Sequence, residues 1–368
     1  MRANGAFSWL IKGLMVSALS GCTAEITGAS DRDGSGPDGR RPGGEGGATQ
    51  GCGEAALLPA RLWRLTGPEY LASVQDLLGP EPLPEVDLEV DPVVDGFKNN
   101  AQALSVSTRM AGQLQQAAST LSVRGLAQFA RYSACEASAL ADTACVQTFI
   151  AKFGARAYRR PLTADEVARY LVVYQAGVTD DNAANGARLV VQTVLQSPHF
   201  LYRSELGDAS AAKQGVVQLN GFELASALSF ALWGTPPDEA LLSAAAAGQL
   251  SAAPELAAQT RRLLEDQRAR PLISRFVAQW LSVQDAIVRS RDAVKYPEFD
   301  AVKGDLLTEF ERLAQDAFLG PSATLGSVFF TSQSHLSPQL ASFYGLQGAA
   351  AAGTPTSLAG TPRTGLLT

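Results

Sequence analysis

The chain has 368 residues, of which 46% are hydrophobic and 18% are charged. That composition is typical of a folded protein, and the length allows two or three hydrophobic cores. The net charge is −6 and the pI is about 5.1, with acidic and basic residues interspersed. A nucleic-acid surface needs concentrated lysine and arginine, so we expect no nucleic-acid partner. Two histidines leave little material for imidazole chemistry.

Residues 1–21 have the plan of a secretory signal peptide. Arg2 and Lys12 accompany an apolar run that ends in small residues before Cys22. The run is too short for a membrane-spanning helix, which needs about 20 apolar residues. The sequence LSGC at its end resembles the lipobox of bacterial lipoproteins, which implies that Cys22 is acylated and anchors the chain. A plain cleaved signal peptide with an accidental cysteine is the alternative.

Residues 22–56 form a tether-like segment. It is rich in glycine and charge and nearly free of large apolar side chains. Such a segment cannot bury enough surface to offset its chain entropy, so we predict disorder. A flexible tether would separate a membrane anchor from a folded body.

From Leu57 onward the sequence predicts an all-α fold, a multi-helix, bundle-like body with short loops marked by proline and glycine. Three helix starts show a capping box, in which glutamate follows the N-cap residue by three positions. They are Thr66 with Glu69, Thr163 with Glu166 and Asn220 with Glu223. Apolar residues then recur with helical spacing, and glycines such as Gly79 end the pattern. No segment alternates long enough to predict a strand.

Further helices are predicted along the rest of the chain. They cover residues 107–132, 185–196, 238–248, 255–265, 270–283, 302–317 and 338–345. Trp63, Trp233 and Trp280 all lie in helical apolar patterns, so we favour core packing over stacking on sugars.

Six segments follow from these patterns. They are a lipoprotein signal peptide at 1–21, a disordered tether at 22–56, an N-terminal helical domain at 57–145, an Arg-rich helical domain at 146–210, a C-terminal helical domain at 211–345 and the start of a truncated further domain at 346–368.

The cysteines indicate a disulfide. Cys135 and Cys145 lie ten residues apart between two predicted helices. In an exported protein such a pair predicts a disulfide that closes a helix–helix connection. Its loop is short, so the stabilisation should lie near the lower part of roughly 2–4 kcal/mol. Cys52, at the end of the tether, receives no role.

Arg156, Arg159 and Arg160 form the densest basic cluster. Their guanidinium groups could bind a carboxylate, sulfate or phosphate, which makes them a candidate anion-binding site. Structural pairing with acidic residues is the favoured alternative. His199 has no second metal ligand at a suitable spacing, and we expect it to be structural.

An acidic loop and five scattered carboxylates are the remaining candidates. Asp87, Glu89, Asp91 and Asp95 could offer oxygen ligands to Ca²⁺, but their spacing does not match an EF-hand, and a solvated loop is favoured. We therefore predict no metal site and no cofactor. A hydrolase would need two carboxylates in one cleft. The candidates for that role are Asp95, Asp238, Glu239, Glu298 and Asp300.

Several segments carry a family resemblance. They are RLWRLTGPEYLASVQDLLG, DGFKNNAQALSVS, FGARAYRRPLTADEV, LQSPHFLYRSELG, LNGFELASALSFALWGTPPDEALLSAAAAGQL, FVAQWLSVQDA and YPEFD. Together they resemble the planctomycete-specific domains of unknown function, a multi-domain set associated with cytochrome c modules and also found in myxobacterial lipoproteins. The resemblance covers residues 60–368 and brings no established reaction, so no catalytic residue is assigned.

Two departures from the family pattern matter. His199 occupies a position where the resembling sequences usually have arginine, and the chain lacks the Cys-x-x-Cys-His signature of a c-type haem. In the resembling proteins the sequence GLLT opens a further domain, which is the basis for calling the last segment truncated.

Two function classes remain open at this level. The preferred one is an exported, membrane-anchored lipoprotein of the cell envelope, facing the periplasm or the surface. It would act as a binding or assembly module with redox or polysaccharide-processing partners, such as a separate cytochrome c. The alternative is a carboxylate-dependent hydrolase that acts on extracellular polymers. Because Gly-x-Ser-x-Gly, His-Glu-x-x-His and phosphate-loop motifs are missing, the sequence leaves enzymatic activity undecided.

Overall fold

A computed structural model describes residues 60–207, 217–283, 287, 289–321, 323–346 and 354–367. Apart from Ala60 and Val217, these residues belong to one compact unit. Within those ranges the chain forms 14 α-helices and two short strand pairs, which confirms the all-α fold class. The predictions about the signal peptide, the tether, Cys22 and Cys52 lie outside the described residues.

The first half of the unit is a set of helices bracketed by two short strands. Its elements are β1 (Arg61–Arg64), α1 (Gly67–Leu78), α2 (Thr108–Leu126), α3 (Phe129–Ser133), α4 (Thr143–Tyr158), α5 (Ala164–Asp180), α6 (Ala183–Gln196), α7 (Pro198–Leu201) and β2 (Tyr202–Glu205). The helix predicted over 107–132 is thus two helices, α2 and α3.

The second half continues with shorter helices. Its elements are α8 (Gly221–Leu232), α9 (Glu239–Ala246), α10 (Ala253–Glu265), α11 (Ala269–Trp280), α12 (Phe299–Leu319), α13 (Leu325–Phe330), β3 (Gln333–Ser334), α14 (Pro338–Phe343) and β4 (Thr356–Ser357). Single 3₁₀ turns lie at Ala139–Ala141, Gln249–Ser251 and Gly365–Leu367.

The capping boxes set the helix starts. In α1 the amide of Thr66 donates to the Glu69 carboxylate at 2.8 Å, and the Thr66 hydroxyl accepts from the Glu69 amide. The same reciprocal pair opens α5 and α8. Each box satisfies amides that a helix leaves without an intrahelical partner. Helices therefore begin where the sequence places these boxes.

The largest core lies among the helices of the first half. Phe129, Phe149 and Phe153 are fully buried. Phe149 stacks on Phe153 with ring centroids 5.3 Å apart and contacts Phe129 in a tilted arrangement at 5.2 Å. Phe230 of α8 joins the same core. The domain boundary predicted between residues 145 and 146 falls inside α4, and the helices on both sides of it share this core.

Glycines let α5 and α6 approach closely. A Cβ atom added at Gly186 would lie 2.6 Å from the Tyr174 carbonyl oxygen, and one at Gly177 would lie 2.7 Å from the Cα of Gly186. Both distances are too short for a side-chain carbon, so this crossing depends on glycine at both positions.

The strands correct one expectation of the sequence. β1 and β2 pair antiparallel, with Trp63 opposite Arg203. β1 is only four residues long and its partner is about 140 residues away, so neither strand shows the extended alternation that predicts a sheet. Trp63 lies in β1, so its assignment to a helical pattern is wrong.

The Cys135–Cys145 disulfide is confirmed. The two Cα atoms are 6.0 Å apart, which is an ordinary separation for a disulfide. The bond ties the segment after α3 to the first turn of α4. Within the described ranges, no helix combines the length and the apolar character needed to cross a membrane.

Candidate functional site

The predicted basic cluster lies at the end of α4, where the backbone turns sharply. Arg159 ends the helix in the left-handed conformation, with φ of +60°. The three arginine side chains reach different partners: Arg156 reaches Asp76, Arg159 reaches backbone carbonyls, and Arg160 reaches Glu166.

Arg156 joins three elements. Its Nε and Nη2 atoms donate to the two carboxylate oxygens of Asp76 at 2.6 and 2.5 Å, and Nη1 donates to the Pro237 carbonyl at 2.8 Å. The bond to Asp76 fixes α4 on α1, and the bond to Pro237 fixes it on the turn before α9. For Arg156, the structure thus shows the pairing with an acidic residue that we favour from the sequence.

Arg159 is a buried cation bound by backbone. Its side chain donates to the carbonyls of His199 and Tyr202 at 2.9 and 2.8 Å, and to those of Phe200 and Ala157 at 3.3 and 3.1 Å. Burial lowers its pKa to about 9. The guanidinium holds α7 and the start of β2 against the end of α4, so its Nη1 and Nη2 groups are already in use.

Arg160 forms a bidentate pair with Glu166. Its Nη1 and Nη2 atoms donate to the carboxylate at 2.9 and 2.8 Å. The Glu166 carboxylate also accepts from the Thr163 amide at 2.8 Å. Hydrogen bonds from Arg160 lower the Glu166 pKa to about 2, so this carboxylate is ionised throughout the physiological range.

Both histidines have a carboxylate neighbour, although His199 has none at ligand spacing in the sequence. His199 Nε2 lies 3.7 Å from Glu166 Oε1, and burial together with Arg160 lowers the pKa of His199. His335 Nε2 lies 2.5 Å from Asp316 Oδ2. Both contacts join residues far apart in the sequence, so spacing alone does not reveal them.

The residues around His199 do not form a nucleophile–base pair. The Ser197 hydroxyl caps α7 and accepts from the Tyr158 hydroxyl at 2.7 Å. Tyr158 and Tyr170 share a hydrogen bond through their hydroxyl groups. The His199 ring contacts the Tyr158 ring, with centroids 5.1 Å apart. The serine is therefore engaged in folding contacts.

Two cavities lie on either side of Arg160. The first, which we call the cation-lined cavity, has a volume of about 500 Å³. Its wall contains Arg131, Lys152, Arg156, Arg160, Glu239 and Phe222. The second, which we call the His199 cavity, has a volume of about 470 Å³ and is lined by Arg159, His199, Ser204 and Glu223.

Glu223 is the carboxylate of the His199 cavity, and it is fully engaged. It accepts from the Ser204 hydroxyl at 2.8 Å and from the amides of Leu206 and Asn220 at 3.0 Å, with Gly207 at 3.2 Å. These bonds attach β2 and the following turn to the start of α8.

The five hydrolase candidates occupy different settings. Asp238 caps α9 and pairs with Arg262 at 2.7 and 3.0 Å, and Asp300 lies 3.7 Å from Lys303. Asp95 and Glu298 are exposed. Glu239 lines the cation-lined cavity.

The acidic loop is tied down by hydrogen bonds. Asp91 is buried, accepts from Arg64 at 2.6 Å and accepts from the Gly67 amide at 2.7 Å. Glu89 accepts from the Ser107 hydroxyl. In the described ranges, no group of three or more histidine, cysteine or acidic residues could hold a metal ion.

The tryptophans differ from one another. Trp233 is buried, and its Nε1 donates to the Leu263 carbonyl at 2.8 Å. Trp280, in contrast, is 48% exposed and stacks on Phe276 with centroids 6.3 Å apart. The expectation of core packing is therefore wrong for Trp280, because α11 presents both Phe276 and Trp280 to solvent.

Three family models match the chain, each described as a protein of unknown function. DUF1587 matches residues 63–125, DUF1595 matches residues 145–205, and DUF1592 matches residues 219–346. The cation-lined cavity combines side chains from the second and third of these regions, such as Lys152 and Glu239. Neither a curated protein nor a solved structure matches the chain.

Proposed function

We propose that this chain is an exported binding or assembly module of the cell envelope. Its three matched regions belong to the planctomycete-type set of domains of unknown function associated with cytochrome c modules. Cys22 would carry its lipid anchor, and residues 22–56 would tether the helical body. Its partners would be the membrane and other envelope proteins, among them redox or polysaccharide-processing proteins.

The Cys135–Cys145 disulfide is the observation that carries the export part of this proposal. Disulfides persist in oxidising compartments and are rare in the reducing cytosol. The bond lies in the folded unit, which supports folding outside the cytosol. The LSGC sequence before the tether points to the same compartment.

The hydrogen bonds around the two cavities favour binding over catalysis. Glu166, Glu223 and Ser197 are each engaged in contacts that hold helices together. Groups committed in this way are rigid and already satisfied, whereas general acid–base chemistry needs a group free to exchange a proton. The cavities themselves remain open to a ligand.

A carboxylate-dependent hydrolase is the alternative, and one observation favours it. Glu239 lines the cation-lined cavity and forms no ion pair or side-chain hydrogen bond with a described residue. Glycoside hydrolysis needs a second carboxylate about 5–9.5 Å away. The carboxylates of Asp76 and Glu166 both bind arginines of this cavity in bidentate pairs, so their oxygens are engaged in hydrogen bonds. Loss of a measured polysaccharide hydrolysis in Glu239→Gln would place the hydrolase first.

Lipidation is the test of the proposed function. Cells that express the wild type, Cys22→Ser or Cys52→Ser are labelled with a fatty-acid analogue and then fractionated. We expect the wild type and Cys52→Ser to be labelled and membrane-bound, and Cys22→Ser to be unlabelled. Cys52→Ser is the matched control, because it removes another cysteine near the N-terminus. Equal labelling of all three proteins would contradict the proposal.

A further inference from the structure

We propose that the cation-lined cavity binds an acidic saccharide, a sugar that carries a carboxylate or phosphate group. This inference rests on the proposed binding function and names its ligand class. The cavity lies between α3 and α4 on one side and α8 and α9 on the other. Its volume of about 500 Å³ falls within the range of roughly 300–1,000 Å³ that is usual for small-molecule sites.

Two cations of the wall are available to a ligand. The side chains of Arg131 and Lys152 are exposed and form no ion pair or hydrogen bond with any described residue. Arg131 has only a cation–π contact, 5.1 Å from the centre of the Tyr132 ring. Together they offer an ammonium and a guanidinium group from adjacent helices, the donors that carboxylates and phosphates accept.

Two further cations of the wall are fixed in place. Arg156 and Arg160 are each held by a bidentate bond to a carboxylate. Arg156 uses three of its five N–H groups in its hydrogen bonds, which leaves two for a ligand. Because these side chains are already ordered, a ligand that binds them loses less conformational entropy.

The rest of the wall favours a sugar over a bare anion. The Glu239 carboxylate lines the same cavity and would repel a second negative charge, but it can accept hydrogen bonds from hydroxyl groups. Phe222, Leu242 and Tyr132 add apolar surface, against which the C–H face of a sugar ring can pack. A ligand with both an anionic group and hydroxyls uses both parts of the wall.

Calorimetric titration of the full chain in detergent micelles tests the inference. The probes are digalacturonate, an acidic disaccharide, cellobiose, a neutral disaccharide, and inorganic phosphate. We expect digalacturonate to bind at least about tenfold more tightly than either other probe, which corresponds to roughly 1.4 kcal/mol. Its affinity should fall as salt rises, since exposed charges are screened.

Three variants separate the parts of the cavity. Lys152→Gln should weaken digalacturonate binding by about tenfold, which again corresponds to roughly 1.4 kcal/mol. Lys295→Gln, an exposed lysine outside the cavity wall, is the matched control and should leave the affinity unchanged. Glu239→Gln should strengthen phosphate binding more than digalacturonate binding. It removes the repulsion of both anions, but it also replaces one of the two oxygens that accept hydrogen bonds from sugar hydroxyls.

Several results would overturn the inference. Equal affinity for cellobiose would show that the cavity does not recognise charge. Equal affinity for phosphate would show that the cavity does not recognise the sugar. Absence of binding in a chain that melts cooperatively, or an unchanged affinity in Lys152→Gln, would also overturn it. None of these results bears on Cys22 labelling, so failure of this inference and failure of the proposed function can be told apart.

Discussion

Replacing Glu166 with glutamine should destabilise the first half of the fold, because this one carboxylate links three contacts. It accepts two hydrogen bonds from Arg160 and one from the Thr163 amide at the start of α5. It also lies 3.7 Å from His199. Glutamine keeps the shape and one acceptor oxygen, but it loses the charge and presents an NH₂ group to the guanidinium.

The size of the loss follows from the pKa of this group. Arg160 lowers the Glu166 pKa from 4.5 to about 2, which sets an upper limit of roughly 3 kcal/mol on the stabilisation. The Arg160 side chain is 32% exposed, so solvent screens the pair and hydrates the guanidinium left behind. We therefore expect Glu166→Gln to lose about 2 kcal/mol, a drop in Tm of roughly 4–8 °C.

The stability lost in Glu166→Gln should become smaller as the pH falls. The native pKa of Glu166 lies below the unfolded value, so its stabilisation is complete above about pH 4.5 and disappears as the pH falls toward 2. The difference in Tm between wild type and Glu166→Gln should therefore shrink over that interval. Above pH 5 it should be constant.

Thermal melts at pH 7, 4 and 3 measure this difference. Asp165→Asn is the matched control, because Asp165 is an exposed acid in the same first turn of α5. We expect that control to change stability by less than about 0.5 kcal/mol. Equal losses in the two variants, or a Glu166→Gln difference that persists unchanged at pH 3, would refute the reasoning.

Three further predictions concern stability and use the same melts. Gly186→Ala should destabilise the fold by roughly 1–3 kcal/mol, because its Cβ would meet the backbone of the neighbouring helix. Gly112→Ala should stabilise the fold by about 0.5–1 kcal/mol, because its Cβ meets nothing within 4 Å. Asp91→Asn should cost roughly 3 kcal/mol, since it leaves a buried arginine without its charge partner. The double variant Cys135→Ser/Cys145→Ser should lose about 2–3 kcal/mol, and thiol titration of the unfolded wild type should detect neither cysteine.

The parts of the fold that sequence predicts are those set by local interactions. The capping boxes at Thr66, Thr163 and Asn220 use residues three positions apart, so the signal is complete within one turn of helix. The Cys135–Cys145 bond closes a ten-residue segment, so proximity in the chain already implies proximity in space. Both kinds of feature are confirmed.

The parts that sequence does not predict depend on contacts between distant segments. The pairing of Trp63 with Arg203, and of His335 with Asp316, exists only after the helices have packed. The cation-lined cavity is a further case, because Lys152 and Glu239 line it from two different family regions. The Arg156 and Arg160 pairs show how a basic run in sequence separates into distinct structural bonds. Anion binding by the predicted arginine cluster stays a prediction.

The intact mass of the chain extracted from the membrane fraction tests the proposed function most directly. The account predicts a chain that begins at Cys22, lacks residues 1–21 and carries the added mass of acyl groups on that cysteine. A chain that retains Met1, or one that begins after Cys22 with no added lipid mass, would contradict it.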